Sequence, residues 1–415
     1  MNVYDILRER GFIEQVSDEG AVRKMLEGEV TCYVGFDPTS DSFHCGSLVP
    51  IMALAHMQRH GHRVIALMGG GTAMIGDPSG KTELRRMMTV EQIDSNAEGL
   101  KRQLARFMDF GEDGALMLDN GEWLRPLRYI GFLRDIGRHF SVNKMLAAES
   151  YRVRLETGLN FIEFNYMLLQ AYDFLHLFRE HGCTLQMGGN DQWGNILAGK
   201  DLIRRVEGGS AEALTFPLLT TASGGKMGKT EKGAVWLDPE RTSPYEYYQY
   251  WINTDDRDVG RFLALFTFLP AGEVESLSAL RGADMRKAKE TLAREATRLL
   301  HGEEEAEKAM QASKALFGGG GEAVDSAPEE LFDRGRLDEG VPAFVLFAET
   351  GLTGSRGEAR RLIQQGGAYI NGRRLEKFDE TVSTGDLEDG HILLRAGKKR
   401  YLRLLPDDGA GEEGG

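Results

Sequence analysis

A strand, a helix and a second strand follow one another directly near the start of this chain, and this order restricts the fold more than any other feature. Val30–Phe36 has the length and apolar character of a buried strand, and so does Arg63–Met68. Between them, apolar residues recur at helical spacing from Leu48 to Ala55, with Pro50 in the first turn, where its missing N–H is tolerated. Strands joined by a crossover helix lie parallel, so we predict an α/β fold with a parallel sheet of Rossmann type.

The length and the later sequence pattern indicate more domains after this sheet. A chain of 415 residues holds two or three domains of ordinary size. From Ser243 onward the pattern is mainly helical, and the run Gly318–Gly321 marks a flexible break before a small domain. We therefore predict a Rossmann-type domain, a helical domain, a flexible linker, a small basic domain and a disordered acidic tail. The predicted boundaries are, in that order, 1–222, 223–317, 318–340, 341–405 and 406–415.

Several classes of protein are excluded by composition. No apolar run is long enough to cross a bilayer, and the charged N-terminal segment lacks the apolar stretch of an export signal. The three cysteines, Cys32, Cys45 and Cys183, form no Cys-x-x-Cys pair, which argues against structural zinc and against a disulfide framework. We expect a cytoplasmic protein with no membrane partner and no structural metal.

The charge is uneven along the chain. The net charge is −14, which does not by itself suggest a nucleic-acid partner. Between Arg356 and Arg403, however, 11 basic residues stand against 7 acidic ones. A local basic patch of this kind can bind RNA while the rest of the protein repels it, although a solvated mixed-charge surface would give the same count.

The polar stretch after the first strand has the composition of a phosphate site. Asp37–Ser47 reads DPTSDSFHCGS and leads into the predicted helix, whose N-terminal N–H groups and dipole favour an anion. Gly46 has no Cβ, so a nucleotide can lie against the backbone, and Thr39 and His44 can donate hydrogen bonds to phosphate oxygens. The alternative is an ordinary strand–helix turn with a surface histidine.

A second cationic segment lies far along the chain. Lys226–Thr230 reads KMGKT and follows Ser223–Gly225, whose glycines allow the loop to move. Two ammonium groups on such a loop can reach the outer phosphates of a bound nucleotide, although a surface turn with two lysines is the alternative. Gly76–Lys81, with Arg85 beyond it, adds cations to the same chemistry.

An otherwise apolar helix carries a polar stripe. In Phe161–Phe174, the residues Tyr166, Gln170 and Asp173 fall at i, i+4 and i+7, on one face. Buried polar groups need partners, so the stripe faces either a ligand or a structural polar network. The next segment, Leu185–Asn195, reads as a strand that ends in a Gly-rich turn, and ligands bind at that end of parallel strands.

Together these segments resemble a known family. The stretch around His44 and the Lys226–Thr230 loop are similar to the His-x-Gly-His and Lys-Met-Ser-Lys-Ser signatures of class I aminoacyl-tRNA synthetases. Over residues 1 to about 405, the motif order resembles that of bacterial tyrosyl-tRNA synthetases. Ser355–Gly372 resembles the S4 RNA-binding fold, which implies a small α+β domain at the C-terminal end. The resemblance implies a tyrosine–tRNA ligase that activates L-tyrosine with ATP and Mg²⁺ and then charges tRNA(Tyr). It also implies a homodimer and an anticodon-side helical domain.

The resemblance also implies roles for individual residues. The residues implied to bind tyrosine are Tyr33, Asp77, Tyr166, Gln170, Asp173 and Gln192. Those implied to bind ATP are Gly35, Asp37, His44, Gly46, Ser47, Gly189, Asp191, Lys226, Met227, Gly228, Lys229 and Thr230. Those implied to act on the departing pyrophosphate are Thr39, His44, Lys81, Arg85, Lys226 and Lys229. The residues implied to bind RNA are Arg356, Arg360 and Arg361, and no residue is implied to hold a metal.

Two positions depart from the family pattern, and two other functions compete. Ser47 stands where a histidine is usual and Val34 where cysteine is common, which changes contacts near the ribose. A tryptophanyl-tRNA synthetase would share the fold, but Tyr33 paired with Asp173 argues against an indole pocket. A non-catalytic RNA-binding protein built on a synthetase body is the other alternative, and His44 with the two signature lysines argues against it.

Overall fold

The computed structural model describes residues 2–79, 88–112, 114–230, 233–318, 327–388, 390–397 and 400–407. The chain forms two compact units, Met1–Ala306 and Glu307–Gly415. Among the described residues, no helix is long and apolar enough to span a bilayer.

The first unit is built on a six-stranded sheet with the order β1-β6-β5-β2-β3-β4. All neighbouring strands pair in parallel except β1, which runs antiparallel to β6. The strands are β1 (Gln15–Val16), β2 (Thr31–Phe36), β3 (Arg63–Met68), β4 (Leu116–Asp119), β5 (Cys183–Gly189) and β6 (Glu212–Phe216). The predicted α/β fold with a parallel sheet is therefore confirmed.

Helices cover this sheet and carry many of the polar residues of interest. They are α1 (Val3–Glu9), α2 (Glu19–Met25), α3 (Leu48–Arg59), α4 (Val90–Leu104), α5 (Gly121–Leu124), α6 (Tyr129–Asp135), α7 (Val142–Leu146), α8 (Glu149–Thr157), α9 (Phe161–Phe164), α10 (Tyr166–His181) and α11 (Trp193–Glu207). A 3-10 turn, Cys45–Ser47, leads directly into α3, as the predicted strand–helix junction requires. Phe174 and Leu175 of α10 pack with Tyr33 and Ile65 of the sheet, and this contact fixes the polar face of α10.

A short hairpin and four helices follow the sheet. The hairpin strands are β7 (Lys229–Thr230) and β8 (Gly233–Ala234), and the helices are α12 (Pro244–Ile252), α13 (Asp256–Phe266), α14 (Ala271–Ser278) and α15 (Met285–His301). Helix α12 begins with a capping box between Ser243 and Glu246 and has Pro244 in its first turn. Its Trp251 is fully buried and lies 5.9 Å from Phe262 and 5.2 Å from Phe266, ring centre to ring centre. Helix α12 is thus anchored at its start and along its buried face.

Helix α16 (Glu303–Gly318) continues from the first unit into the second. The second unit contains a five-stranded sheet with the order β12-β11-β14-β15-β9. After α16, the elements of the second unit are β9 (Glu329–Asp333), α17 (Arg334–Glu339), β10 (Val341–Pro342), α18 (Ala343–Glu349), α19 (Arg356–Gln364), β11 (Ala368–Ile370), β12 (Arg373–Arg374), β13 (Thr381–Val382), β14 (Ile392–Ala396) and β15 (Arg400–Asp407). Among the described residues of this sheet, β9 and β15 pair in parallel and the other neighbouring strands pair antiparallel. Leu346, Ile363 and Leu394 are among the residues of its core.

Two segments are more ordered than the sequence suggested. Residues 329–339, expected within a flexible linker, form β9 and α17, because β9 pairs with β15 and Leu337 is buried in the core. Strand β15 also extends through Asp407, into the segment expected to be a disordered tail. The run Gly319–Gly321 and residues 408–415 lie outside the described residues. The finer division of the chain into domains stays a prediction.

Candidate active site

The carboxyl ends of β2 and β5 meet where the winding of the sheet reverses. The chain proceeds from β2 to β3 and β4 on one side and then returns to place β5 on the other side of β2. Ligands of such sheets bind in the crevice outside these strand ends. Tyr33 of β2 lies beside Gln186 of β5, Asp37 follows β2, and Gly189 ends β5. The sheet thus brings together predicted site residues that are about 150 positions apart in the sequence.

At the bottom of the crevice lie Tyr33 and Asp173, which are 1% and 2% exposed. The Tyr33 ring packs 5.5 Å from the Phe174 ring, and no described residue gives its hydroxyl a hydrogen-bond partner. Burial, followed by the nearby Asp173 carboxylate, raises the pKa of Tyr33 well above its usual range. The hydroxyl therefore stays protonated beside an acceptor, which leaves a buried hydrogen-bonding position for a ligand to fill.

Two residues that the sequence analysis missed hold Asp173 in place. Asn120 Nδ2 donates to one carboxylate oxygen and Trp123 Nε1 to the other, both at 2.8 Å. The Trp123 ring is itself stacked on His176 at a centroid distance of 4.1 Å. Burial raises the pKa of Asp173 to about 8, although these two hydrogen bonds oppose the increase. No motif marks Asn120 or Trp123, but the polar residue that directly follows β4 was a usable signal.

The polar stripe of α10 reaches the end of β2 through Asp37. The Tyr166 hydroxyl donates to one Asp37 oxygen at 2.9 Å, and the Thr72 hydroxyl donates to the other at 2.7 Å. Thr72 also accepts from Asn120 at 3.0 Å, which links Asp37 to the residues around Asp173. Tyr166 and Asp173 thus belong to one hydrogen-bonded network that starts from α10.

A second network joins the end of β5 to Asp77. Gln192 Nε2 donates to Asp77 at 2.6 Å, and the Ser79 N–H donates to the other carboxylate oxygen at 2.9 Å. Asn195 Nδ2 donates to Gln170 Oε1 at 2.9 Å and lies 3.3 Å from Gln192 Oε1. The stripe residue Gln170 is thereby connected to the predicted residues of the turn after β5.

The crevice strongly favours positive charge. Burial raises the pKa of Asp77 to about 6, and the neighbouring Asp37 adds to this increase. Asp37 also raises the pKa of Asp173. Among the described residues, Asp77 and Asp173 receive hydrogen bonds but no ion pair. A ligand ammonium would relieve the mutual repulsion of these carboxylates.

The first signature sits at the start of α3 with its histidine fixed. The Gly46 N–H donates to His44 Nδ1 at 3.0 Å, so neutral His44 carries its proton on Nε2 and can donate from that side. A Cβ on Gly46 would lie 2.7 Å from His44 Cε1 and 3.2 Å from the Met227 carbonyl oxygen. Glycine is therefore required here by close contact with both signatures.

The two signatures touch each other. Gly228 has φ +76°, and a Cβ added to it would lie 2.8 Å from the Gly46 nitrogen. The chain after the loop is also attached, because the Cys45 N–H donates to the Val235 carbonyl at 2.9 Å and the Val235 N–H donates to the Gly228 carbonyl at 2.8 Å. Segments about 180 positions apart in sequence thus form one surface beside the helix α3 N-terminus.

The remaining predicted residues are placed as follows. Thr39, Lys226 and Lys229 are exposed, as is Gly35, and Ser47 is half-buried. Thr230 lies in β7 after the loop, and Asp191 lies 3.1 Å from the Gln192 amide nitrogen. Lys81 and Arg85 lie outside the described residues. Within the described part of the chain, no group of three or more His, Cys, Asp or Glu side chains is arranged to hold a metal.

A cavity of about 940 Å³ adjoins the crevice, because Pro78 and Asp191, the sequence neighbours of Asp77 and Gln192, line it. Its walls carry the cations Lys144 and Arg205 together with Trp193. The acidic side chains Glu149, Asp191 and Asp201 line it as well, so the cavity offers space and an aromatic face but no excess of positive charge.

In the second unit, the three predicted arginines of α19 differ in their surroundings. Arg356 pairs with Glu349 at 2.9 Å, a carboxylate that also pairs with Arg336. Arg360 lies over the Phe344 ring at 4.1 Å, and Arg360 and Arg361 are both exposed. No described carboxylate forms an ion pair with Arg360 or Arg361, so these two are the more available for phosphate.

Comparison with known proteins gives two family matches. Residues 25–318 match the family described as tRNA synthetases class I (W and Y). Residues 338–404 match the tyrosine–tRNA ligase SYY-like C-terminal domain. Among curated relatives, the tyrosine–tRNA ligase of Desulfatibacillum aliphaticivorans is 59% identical over 98% of this chain and 99% of its own length. The tyrosine–tRNA ligase of Caldanaerobacter subterraneus is 56% identical over 98% of this chain and 99% of its own length.

Solved structures share the fold. A C-terminally truncated mitochondrial tyrosyl-tRNA synthetase from Aspergillus nidulans has a TM-score of 0.69 at 31% identity and covers 76% of this chain and 94% of its own. A tryptophanyl-tRNA synthetase from Encephalitozoon cuniculi has a TM-score of 0.55 at 13% identity and covers 74% of this chain and 89% of its own. At this identity the likeness shows a shared fold alone. The family match extends over more than half of the chain, and the two relatives named above, each more than 50% identical over nearly the full length, are tyrosine–tRNA ligases. The chain therefore belongs to the tyrosine–tRNA ligase family of class I aminoacyl-tRNA synthetases.

Proposed function

We propose that the chain joins L-tyrosine to tRNA(Tyr) in two steps at this crevice. The observation that carries the proposal is the buried Tyr33 hydroxyl near Asp173. Together they are a donor and an acceptor that can hydrogen-bond the hydroxyl of a phenol. Phenylalanine would leave the Tyr33 hydroxyl without a hydrogen-bond partner and would give Asp173 no donor beyond Asn120 and Trp123. Tyrosyl-tRNA synthetases are themselves a standard example of this selection rule. An indole has no hydroxyl to place between them, so the pair also disfavours tryptophan.

The carboxylates above the phenol position suit the α-ammonium of the amino acid. We assign the ammonium to Asp77, Tyr166 and Gln170, whose polar atoms belong to the two networks of the crevice. Gln192 is assigned to the substrate carboxylate. Gly35, Gly189 and Asp191 surround the ribose at the ends of β2 and β5. Ser47 adds a hydroxyl there, whereas the buried Val34 adds none.

In the first step, a tyrosine carboxylate oxygen attacks the α-phosphorus of ATP, and the bond from that phosphorus to the bridging oxygen breaks. The products are tyrosyl-adenylate and pyrophosphate, and no protein nucleophile is needed. Negative charge develops on the departing pyrophosphate. We assign the stabilisation of this charge to Thr39, His44, Lys226 and Lys229, with Lys81 and Arg85 as further cations. Mg²⁺ enters with ATP and is held mainly by phosphate oxygens, as this ion prefers.

In the second step, the terminal ribose hydroxyl of tRNA takes the tyrosyl group and releases AMP. The cavity beside Asp191 supports this assignment through Trp193, on which a base can stack. In the second unit, we assign tRNA contacts mainly to Arg360 and Arg361. Arg356 contributes less, since Glu349 partly neutralises it.

A second copy of the chain is proposed as the partner of the segment from α6 to α9. Of the eight large apolar side chains that stand exposed among the described residues, six lie in this segment. They are Tyr129, Ile130, Val142, Leu155, Phe161 and Ile162. An apolar concentration of this kind marks a binding surface. Sedimentation should show a dimer that Ile130→Glu dissociates, and a monomeric wild-type chain would refute the assignment.

A cytoplasmic location is part of the same proposal. The three cysteines are free and buried, as in a reducing compartment, and translation supplies the tRNA substrate there.

The experiment that tests the function is amino-acid-dependent exchange of pyrophosphate into ATP, measured with each of the twenty amino acids. Tyrosine should support exchange, while phenylalanine and tryptophan should support hardly any. Equal exchange with phenylalanine would refute the Tyr33–Asp173 assignment. Exchange without subsequent charging of tRNA would refute the second step alone.

A further inference from the structure

Helix α12 makes direct contact with the backbone of the second signature. The Gly228 N–H donates to the Tyr250 hydroxyl at 3.1 Å. The carbonyl of the same residue accepts from Val235, whose own carbonyl accepts from Cys45 in the first signature. The Gly228 residue is therefore held on one side by α12 and on the other by the first signature.

A second tyrosine of α12 approaches the first signature. Tyr247 lies one turn before Tyr250, on the same face of the helix. Tyr247 and Cys45 are both buried, and their side chains are close enough to influence each other's ionisation. One face of α12 therefore lies against both signatures.

The geometry makes Tyr250 a stable support. Its helix is fixed by the capping box and by the buried Trp251, whose ring lies 5.1 Å from the Tyr250 ring. Burial also raises the pKa of Tyr250 far above neutrality, so the hydroxyl remains uncharged. By contrast, Lys226 and Lys229 are exposed on either side of Gly228 and have long, flexible side chains. Their ammonium groups act at a defined place only if the backbone between them is fixed.

We propose that Tyr250 is a positioning residue, whose hydroxyl holds the Gly228 N–H so that the second signature stays in place against the first. This inference rests on the proposed function, because it assumes that Lys226 and Lys229 act on the phosphates of ATP. Tyr250 itself touches no substrate and acts through the loop.

The test uses the full-length chain with Tyr250→Phe, which removes only the hydroxyl. Tyr248→Phe makes the same change on the same helix, two residues away and therefore on another face, and serves as the matched control. Single-turnover formation of tyrosyl-adenylate should slow by roughly 3- to 10-fold in Tyr250→Phe, the effect expected for one neutral hydrogen bond. Equilibrium tyrosine binding and the thermal midpoint should stay close to wild type.

A double-mutant cycle separates positioning from general stability. If Tyr250 acts through the signature loop, its substitution should slow the reaction by a smaller factor in a Lys229→Ala background than in the wild type, because one of the two ammonium groups that it positions is then absent. In addition, trypsin should cut after Lys226 or Lys229 faster in Tyr250→Phe than in Tyr248→Phe.

The results distinguish a failure of the positioning role of Tyr250 from a failure of the proposed function. An unchanged rate in Tyr250→Phe, or equal losses in both tyrosine variants, overturns the positioning role while the wild-type activity keeps the proposed function intact. Full additivity with Lys229→Ala overturns it as well. A wild-type chain that forms no adenylate at all refutes the proposed function instead, and the faster trypsin cleavage would still report the contact of Tyr250 with the loop.

Discussion

Asp77 should give the free energy of unfolding and the affinity for tyrosine opposite dependences on pH. Burial raises its pKa in the folded protein from 3.8 to about 6. Between these two values the folded chain keeps a proton that the unfolded chain has lost, so stability falls as pH rises. At about 1.4 kcal/mol per pH unit, the loss reaches about 3 kcal/mol above pH 6 and then stays constant.

Tyrosine binding should change in the other direction, because the substrate ammonium pairs with the ionised carboxylate. If only ionised Asp77 binds, then the dissociation constant at pH 5 is about tenfold higher than at pH 8. Above pH 7 this contribution should be flat.

Asp77→Asn removes the titration with little change in shape, and Gln192 can rotate its amide to accept from the new side chain. Calorimetric titration from pH 5 to 8 should show weaker binding in the variant at pH 8, by about 10- to 100-fold for a lost charged hydrogen bond. The steep acid dependence should be absent. Denaturant unfolding without tyrosine should find the variant more stable than wild type at pH 8 but not at pH 4. Equal pH slopes of tyrosine binding in the two proteins would refute the assignment of Asp77 to the ammonium.

Three further outcomes are expected. Lys229→Ala should slow adenylate formation in stopped-flow experiments far more than it weakens equilibrium tyrosine binding, because its ammonium is assigned to charge in the transition state; the reverse pattern would misplace this lysine. A chain stopped after Phe317 should still form adenylate but lose most tRNA charging, and near-full charging would contradict the role of the second unit. Glu163→Ala should lower the free energy of unfolding by about 3–5 kcal/mol, since it leaves buried Arg154, paired at 2.9 Å, without this carboxylate; a loss below 1 kcal/mol in denaturant would argue against a buried pair.

Local signals explain what could be predicted from the sequence. Strand β3 has the predicted bounds, and β2 begins one residue later than predicted. Both strands were predictable because each is a continuous apolar run of a few residues. The start of α3 was predictable because Pro50 lies in its first turn. The polar stripe of helix α10 was recognisable by its helical spacing, although the structure divides the predicted segment Phe161–Phe174 at Asn165 into α9 and α10 and continues α10 to His181. That the two signatures serve one site was implied by the family resemblance, whereas no local pattern predicted their direct contact.

Contacts between distant residues were harder to predict. Asn120 and Trp123 follow β4 and reach Asp173 of α10 only in the folded chain, about fifty positions away, and no periodic pattern in the sequence records that contact. Strand β9 reads as an acidic connector because a single residue, Phe332, is buried in it. Its structure comes from pairing with β15, about seventy residues away. The ion pair of Arg356 with Glu349 could likewise not be predicted, because a count of charges does not show which side chains meet.

The parallel pairing of β9 with β15 has a consequence for the order of events during synthesis. The sheet of the first unit is complete once Phe216 has been made, whereas that of the second unit must wait for Asp407. At about 5–20 residues per second, the ribosome needs roughly 10–40 s to cover that interval. Strand β9 emerges early in the second unit and has no parallel partner until the end. Its acidic residues Glu329, Glu330 and Asp333 would repel a second nascent strand during the wait, which protects an open edge from aggregation.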